Sequence, residues 1–292
     1  MFGVIVNPVS GGGKYAGLAQ RIEEMLKERG EVCRYFYTEC ENDGDRQARL
    51  AIENGCDAVV CIGGDGTLSE VVREMAGSGK TLYIVPCGTG NDFVRALGLP
   101  LDPIEAFKRQ LDGEERRIDC GSVNGRPFMN VSGSGFDVEV LRKTEELKAV
   151  YPGAKAYRKA VLAVISSYQA IEAELMIDGG EAKKIRSTII EIANGRYFGG
   201  GMLVAPNSSF SDGLFDVVVV DRVPRLMIPF LLPLFILGMH IYLPIARVVK
   251  AKTVTLRSKG MVLNIDGRLE PMDEARYEIL SGALIVRLSA GR

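Results

Sequence analysis

The 292-residue chain has one histidine, no surplus of either charge and no paired cysteines, and each shortage removes a class of function. Nothing around His240 has ligand spacing, so it reads as a packing residue rather than a metal ligand or a base. With 36 basic against 37 acidic side chains the net charge is -1. No Lys/Arg block with interleaved aromatics appears, which argues against a nucleic-acid partner. Cys33, Cys40, Cys56, Cys61, Cys87 and Cys120 form no CxxC pair. Several lie in or beside strand-like runs, where cysteine packs as a small apolar residue, and reduced thiols are expected. The chain opens directly on FGVIVN, with no basic stretch and no small-residue cleavage site, so a cytoplasmic protein is expected. Repeats, low-complexity tracts and long charged linkers are missing as well.

What is abundant is apolar bulk, at 47% hydrophobic residues, which can build the cores of two ordinary domains. From Met1 to about Leu111 strand and helix patterns alternate: FGVIVN, a helix from about Lys14 to Arg29, VCRYFYT, a helix around Gln47–Asn54, AVVCIGG, a helix from Thr67, TLYIVP, and a helix from Asn91. Such alternation predicts an α/β domain with a parallel sheet covered on both faces. From Arg116 the texture changes to FMNVSGSGFD, ELMID, IRSTIIEIAN, LFDVVVVD, TVTLRS and MVLNID, with helices only over Ala154–Ile171 and around Leu226. That run predicts a mostly antiparallel β-sandwich domain, with the boundary near Ser122 and the chemistry in the cleft between the halves.

Three glycine-rich segments each follow an apolar strand: NPVSGGGK at Asn7–Lys14, GGDGTLSEVV at Gly63–Val72 and PCGTGNDFVR at Pro86–Arg95. Glycine lets backbone N–H groups approach a phosphate where a Cβ would obstruct it, and open α/β sheets bind ligands at such strand ends. The first segment is not a Walker A loop, because Pro8 stands at its first glycine position and Tyr15 follows Lys14. Alone it could be an ordinary turn capping a helix. In GGDGT, Asp65 supplies a carboxylate where a Mg²⁺-bound phosphate would lie, and Thr67 can cap the helix or contact phosphate. Asp92 is a second acid one strand later; it can serve the helix dipole, or join Asp65 in holding water and metal around a γ-phosphate.

In this order and spacing the three segments resemble the diacylglycerol kinase catalytic family, in particular its small bacterial lipid kinases. The resemblance continues through FMNVSGSGFD (Phe128–Asp137), NGRYFGGGMLVAP (Asn194–Pro206) and SDGLFDVVVV (Ser211–Val220), so it covers nearly the whole chain. It implies ATP as phosphoryl donor, a lipid hydroxyl as acceptor and Mg²⁺ as cofactor. It also implies an ATP-binding domain over residues 1–122, rejoined by the closing segment from about 275 to 292, and a lipid-substrate domain over 123–274. By position, Asn7, Pro8, Val9, Ser10, Gly11, Thr38, Gly64, Asp65, Gly66, Thr67, Leu68, Ser69, Glu70 and Thr89 match the family's ATP contacts. Asp212 matches a side-chain ligand of a structural Mg²⁺, with Ser209 and Leu214 at positions offering backbone carbonyls. Without the resemblance, Ser211–Gly213 would read as a hairpin turn.

One departure stands at the end. The family pattern there is Asp-Gly-Glu, its glutamate being the proposed general base, whereas this chain reads Asp266-Gly267-Arg268-Leu269-Glu270-Pro271. Arginine takes up no proton at neutral pH. Three readings stay open: the acid is displaced to Glu270, Asp266 is the base, or the site is crippled and the chain is a nucleotide-gated lipid-binding protein. A soluble NAD kinase, whose family shares GGDGT, is the rival enzyme; PCGTGND and the apolar segment favour lipid.

Between Arg225 and Arg247 no residue is formally charged, yet Pro229, Pro233 and Pro244 argue against a spanning helix. The stretch is expected to form a lid over the cleft that touches a membrane surface, with burial in the core as the competing reading. Arg222, Arg225, Arg247, Lys250 and Lys252 flank it and can meet anionic headgroups or simply be solvated. The expected partners are a membrane lipid and a peripheral site on the inner membrane surface, with a homodimer left open.

Overall fold

In the computed structural model, which describes residues 1–13, 17–151 and 154–289, the first 111 residues fold as alternating strands and helices. In chain order these are β1 (Phe2–Val6), α1 (Leu18–Glu28), β2 (Cys33–Tyr37), α2 (Gly44–Glu53), β3 (Ala58–Gly63), α3 (Asp65–Met75), β4 (Thr81–Pro86), α4 (Asp92–Ala96) and α5 (Pro103–Leu111). The helix start expected at Lys14 lies outside the described residues. The strands are parallel in the order β2-β1-β3-β4. Residues of β1, β3 and β4 are buried throughout, as strands covered on both faces must be. Leu18, Ile22 and Leu26 recur every fourth residue and turn one stripe of α1 onto the sheet. At α5, Asp102 accepts the Glu105 N–H at 2.8 Å and Pro103 takes the first helical position, which sets where that helix begins.

The rest of the chain is β-rich: β5 (Glu114–Val123), β6 (Arg126–Phe128), β7 (Val131–Gly135), α6 (Phe136–Lys148), α7 (Ala154–Ser167), β8 (Ile171–Ile177), β9 (Lys183–Ala193), β10 (Tyr197–Phe198), β11 (Met202–Leu203), β12 (Phe215–Asp221), α8 (Ile228–Ile236), β13 (Ala246–Ala251), β14 (Thr253–Arg257), β15 (Val262–Ile265), β16 (Arg268–Pro271) and β17 (Glu274–Leu288). Its pairings are antiparallel, running β14-β8-β9 and then to β7-β15-β16 and to β12-β13. Phe128, Phe215 and Tyr277 meet in the sandwich interior, two rings stacked at 5.9 Å and the third edge-on at 6.2 Å. Long β17 belongs to both halves. Its start pairs with β14, while Ile285 and Val286 run parallel to Thr81 and Leu82 and add a strand to the first sheet. Strand β5 accompanies β17 from Glu114 to Val123, so Ser122, where the texture changes, falls inside a shared ribbon.

Two elements differ from the sequence reading. Helix α6 was not expected. Its pattern FDVEVLRKTEELK directly follows a strand-like run, and its acids in the first turn, Lys148 in the last and Arg142–Glu139 and Lys143–Glu146 pairs are the usual helix supports. Helix α7 stops at Ser167, short of Ile171, which opens β8. Cys56, Cys61, Cys87 and Cys120 are buried thiols, and burial pushes Cys87 and Cys120 up to about 12.

The apolar stretch folds into a short helical cap with two faces. Ile228 and Phe235 are buried, with Leu231 and Leu232 packed beside them. Leu226, Phe230 and Tyr242 point outward and are 85%, 78% and 79% exposed. Among the described residues no helix is long and apolar enough to cross a membrane. His240 packs on Phe235 at 4.3 Å and its Nε2 lies 3.0 Å from the Val204 carbonyl, the role of a buried packing residue.

Candidate active site

At the C-terminal strand ends the second and third glycine turns touch backbone to backbone. A Cβ on Gly64 would lie 3.0 Å from the Gly88 Cα, and one on Gly88 only 2.8 Å from the Gly64 Cα. Glycine is therefore demanded at both places by close approach. Asn7 joins the first turn to the second by donating from Nδ2 to Thr67 Oγ1 at 2.7 Å, while its Oδ1 accepts the Val9 N–H. In the third turn the Asn91 side chain closes on Gly88 through two hydrogen bonds, its Oδ1 accepting the Gly88 N–H and its Nδ2 donating to the Gly88 carbonyl. Helix α3 starts at Asp65, one residue past the strand, and the N–H groups of its first turn have no helix carbonyl to bond.

The first two turns form one wall of a cleft of about 590 Å³, to which no residue of the third contributes. Asn7, Ser10, Thr38, Gly64, Gly66, Thr67, Ser69 and Glu70 line it, as does Arg73; the opposite wall is Leu141, Glu145 and Lys148 of α6 with Asp266–Leu269. Pro8 and Val9 are exposed on the first turn, and Gly11 adopts φ +63° there. Thr89 is exposed on the third turn and does not line the cleft. Leu68 offers no ligand group, since its side chain is in the core and its N–H donates to Gly64. Glu70 Oε2 accepts the Gly44 N–H at 2.8 Å, and burial raises its pKa, which Gly44 and Arg73 partly offset.

Asp65 and Asp92 come together at the seam between the halves, beside the cleft and not among the residues that line it. Burial, with the like charge of Asp92, raises Asp65 to about 6 despite N–H groups aimed at it from α4. Asp92 Oδ2 accepts the Gly200 N–H at 2.8 Å across the seam, and burial raises its pKa too. Its Oδ1 is buried with no hydrogen-bond partner. Two desolvated carboxylates, one carrying an orphaned oxygen, fit a divalent cation that completes its shell with water and substrate phosphate.

The loop Ser209–Leu214 behaves differently. Asp212 Oδ1 accepts the Leu214 N–H at 3.2 Å, and Oδ2 accepts from Lys250 Nζ at 2.8 Å. Among the described residues no group of three or more His, Cys, Asp or Glu side chains is arranged to hold a metal, here or at Asp65 and Asp92. Ser209, Asp212 and Leu214 are neighbours as expected, but the donor set does not fit Mg²⁺, because an ammonium already occupies the carboxylate.

Asp266, in the β15–β16 turn, and Glu270, within β16, stand in unlike settings. The Asp266 carboxylate accepts the N–H groups of Met129, Asn130 and Val131 at 2.7, 2.9 and 3.2 Å, with Ser69 Oγ at 3.4 Å. Burial raises its pKa and those N–H groups oppose the rise. Glu270 does not line the cleft; Arg126 grips it, and Arg268 Nε lies at 3.5 Å.

The glycine turns at the sheet edge, the carboxylate pair and the sandwich beside them form a two-part architecture that the known proteins share. The diacylglycerol kinase catalytic domain family model matches residues 1–123, and the YegS C-terminal NAD kinase beta sandwich-like domain matches residues 130–288. A diacylglycerol kinase of Mycobacterium tuberculosis is 32% identical over 90% of this chain and 87% of its own. A protein of Pseudomonas aeruginosa named as a YegS-like lipid kinase is 35% identical over 91% and 87%. The solved structure of a diacylglycerol kinase from Bacillus anthracis superposes with a TM-score of 0.74 at 21% identity, covering 99% of this chain and 97% of that one. An NAD kinase from Archaeoglobus fulgidus superposes less well, with a TM-score of 0.54 at 15% identity and coverage of 99% and 94%. The chain belongs to the diacylglycerol kinase family and is a phosphotransferase with an alcohol acceptor.

Proposed function

We propose that this enzyme transfers the γ-phosphoryl group of ATP to the hydroxyl of diacylglycerol or a related membrane lipid. The observation that carries the reading is the pairing of the phosphate-cradling cleft with an uncharged, outward-facing cap, Leu226–Tyr242, on the same molecule. Large exposed apolar patches mark contact surfaces, and a lipid acceptor has to be met at its bilayer. Arg222, exposed at the margin, suits an anionic surface, whereas Arg225 donates to the carbonyls of Ser166, Ser167 and Tyr168, Arg247 pairs with Asp221, and Lys252 stands past the far end of β13. Beneath the cap an apolar cavity of about 60 Å³ reaches Phe136, Tyr157 and Phe235. That is far below the roughly 300–1,000 Å³ of ligand pockets, so an acyl chain requires the cap to lift.

In this reading the N–H groups at the start of α3, with Asn7 and Ser10, hold the triphosphate. Asp65 and Asp92 hold Mg²⁺, which neutralises charge on the phosphates when bound. Asp266 is the stronger candidate for the base. It lies on the cleft wall, its pKa is raised, and the Ser69 hydroxyl, the longest of its four contacts at 3.4 Å, is the one an acceptor hydroxyl would displace. Glu270 is clasped by two guanidinium groups and Arg268 reaches the cleft, where it adds positive charge beside Arg73. An NAD-kinase-like activity is the second reading, on the shared GGDGT and the sandwich likeness; the exposed cap has no use in it. Assaying γ-labelled ATP with diacylglycerol vesicles and NAD in parallel tests the choice: label in lipid supports the proposal, and label in NADP alone refutes it.

A further inference from the structure

The loop Ser209–Leu214 is held between two walls of fixed charge. On one side Asp212 Oδ2 and Asp216 Oδ2 each accept from Lys250 Nζ at 2.8 Å. Asp216 is buried, and Lys250 is its directly opposed partner in the β12–β13 register, so the sheet itself delivers the ammonium. On the other side Asp119 accepts the N–H groups of Gly213 and Gly282, both at 2.8 Å. Between the walls Phe210 lays its ring edge-on against Phe93 of α4 at 5.3 Å, and its carbonyl accepts the Asp119 N–H at 2.6 Å. The loop therefore buttresses the short helix that begins with Asp92.

We infer that Lys250 is the built-in cation of this loop, its ammonium taking the place of the divalent ion that the family resemblance calls for, so that the loop folds without metal. A Mg²⁺ ion needs oxygen ligands at about 2.0–2.1 Å and near-octahedral order. Here Asp212 has one oxygen on a backbone N–H and the other on Lys250, and an incoming dication would meet the ammonium as a like charge. Burial alone would lower the Lys250 pKa, but the hydrogen bonds to Asp212 and Asp216 outweigh it and hold the net shift upward, so the charge persists through neutral pH. The divalent-ion requirement then lies with Asp65 and Asp92.

The test reads stability and does not depend on which acceptor the enzyme uses. Thermal melts of the full chain are recorded without nucleotide, in EDTA and in millimolar Mg²⁺, for wild type, Asp212→Asn, Lys250→Arg and Lys250→Met. The wild type is expected to show no Mg²⁺-induced rise in Tm that Asp212→Asn removes; a rise surviving in Asp212→Asn belongs to Asp65 and Asp92 and agrees with the inference. Lys250→Arg keeps the metal independence. Lys250→Met, which leaves buried Asp216 unpaired, melts lower in EDTA by on the order of 5 °C, and Mg²⁺ returns part of the loss. An Asp212-dependent Mg²⁺ stabilisation of the wild type, or a Lys250→Met variant as stable as wild type in EDTA, overturns the inference. The wild-type comparison decides alone where Lys250→Met does not fold.

Discussion

Replacing Asp65 with asparagine should abolish phosphotransfer and, at neutral pH, make the protein harder to melt. Folding puts the Asp65 carboxyl at about 6, against 3.8 for the free side chain, first by burial and then by the like charge of Asp92. Between those values the folded chain holds the proton more tightly than the unfolded chain does, so stability falls as pH rises through that window. Above it the ionised carboxylate costs the folded state at most ~3 kcal/mol, and water at the open side of the turn lowers this to about 1–2 kcal/mol. Asparagine is neutral throughout and can still accept the Phe93 N–H, which lies 3.5 Å from Oδ1. At roughly 2–4 °C per kcal/mol, the variant should melt about 2–8 °C above wild type near pH 7. Melts in EDTA across about pH 4 to pH 8 check the sign: the gap is widest at neutral pH and closes toward acid. A variant no more stable than wild type at neutral pH, or a gap that does not change with pH, would refute the reasoning.

The base is decided by a pair of variants. Asp266→Asn should lower kcat by a factor on the order of 10²–10⁴, whereas Glu270→Gln should change it several-fold at most; the reverse order would place the base at Glu270. Because Asp266 also binds three backbone N–H groups, ATP affinity and Tm are measured alongside, and unchanged ATP binding separates lost chemistry from a disordered Met129–Val131 turn. At the cap, Leu226→Ser with Phe230→Ser should raise the apparent KM for vesicle-presented lipid more than for a short-chain soluble analogue, with little change in Tm. Phe235→Ala should instead lose stability by about 3–5 kcal/mol, since its ring is buried against Phe198 and His240.

The parallel domain was legible because its signals are local: buried strands of five or six residues, amphipathic helices, and glycines at each strand end. Convergence of Asn7, Thr67 and Glu70 on one cleft follows from strand order and needed no further information. The rest depends on contacts far apart in sequence. Nothing local shows that Asp266 will anchor a turn 136 residues earlier, or that Lys250 will face Asp216 across a strand pair. Helix α6 escaped because its first residues continue the strand-like run FMNVSGSGFD, and with it three residues of the cleft wall, Leu141, Glu145 and Lys148, were missed. The apolar stretch could not be divided by composition: positions three and four apart on one short helix face the core and the others face outside, which is why Leu231 and Phe235 pack inward while Phe230 does not.

The central claim is tested most directly by incubating the protein with γ-labelled ATP, Mg²⁺ and vesicles containing diacylglycerol, then measuring label in the organic-extractable product. The account predicts phosphorylated lipid from the wild type and none from Asp65→Asn. Wild-type enzyme that binds ATP and vesicles yet leaves all label in ATP, free phosphate or a water-soluble acceptor would contradict it.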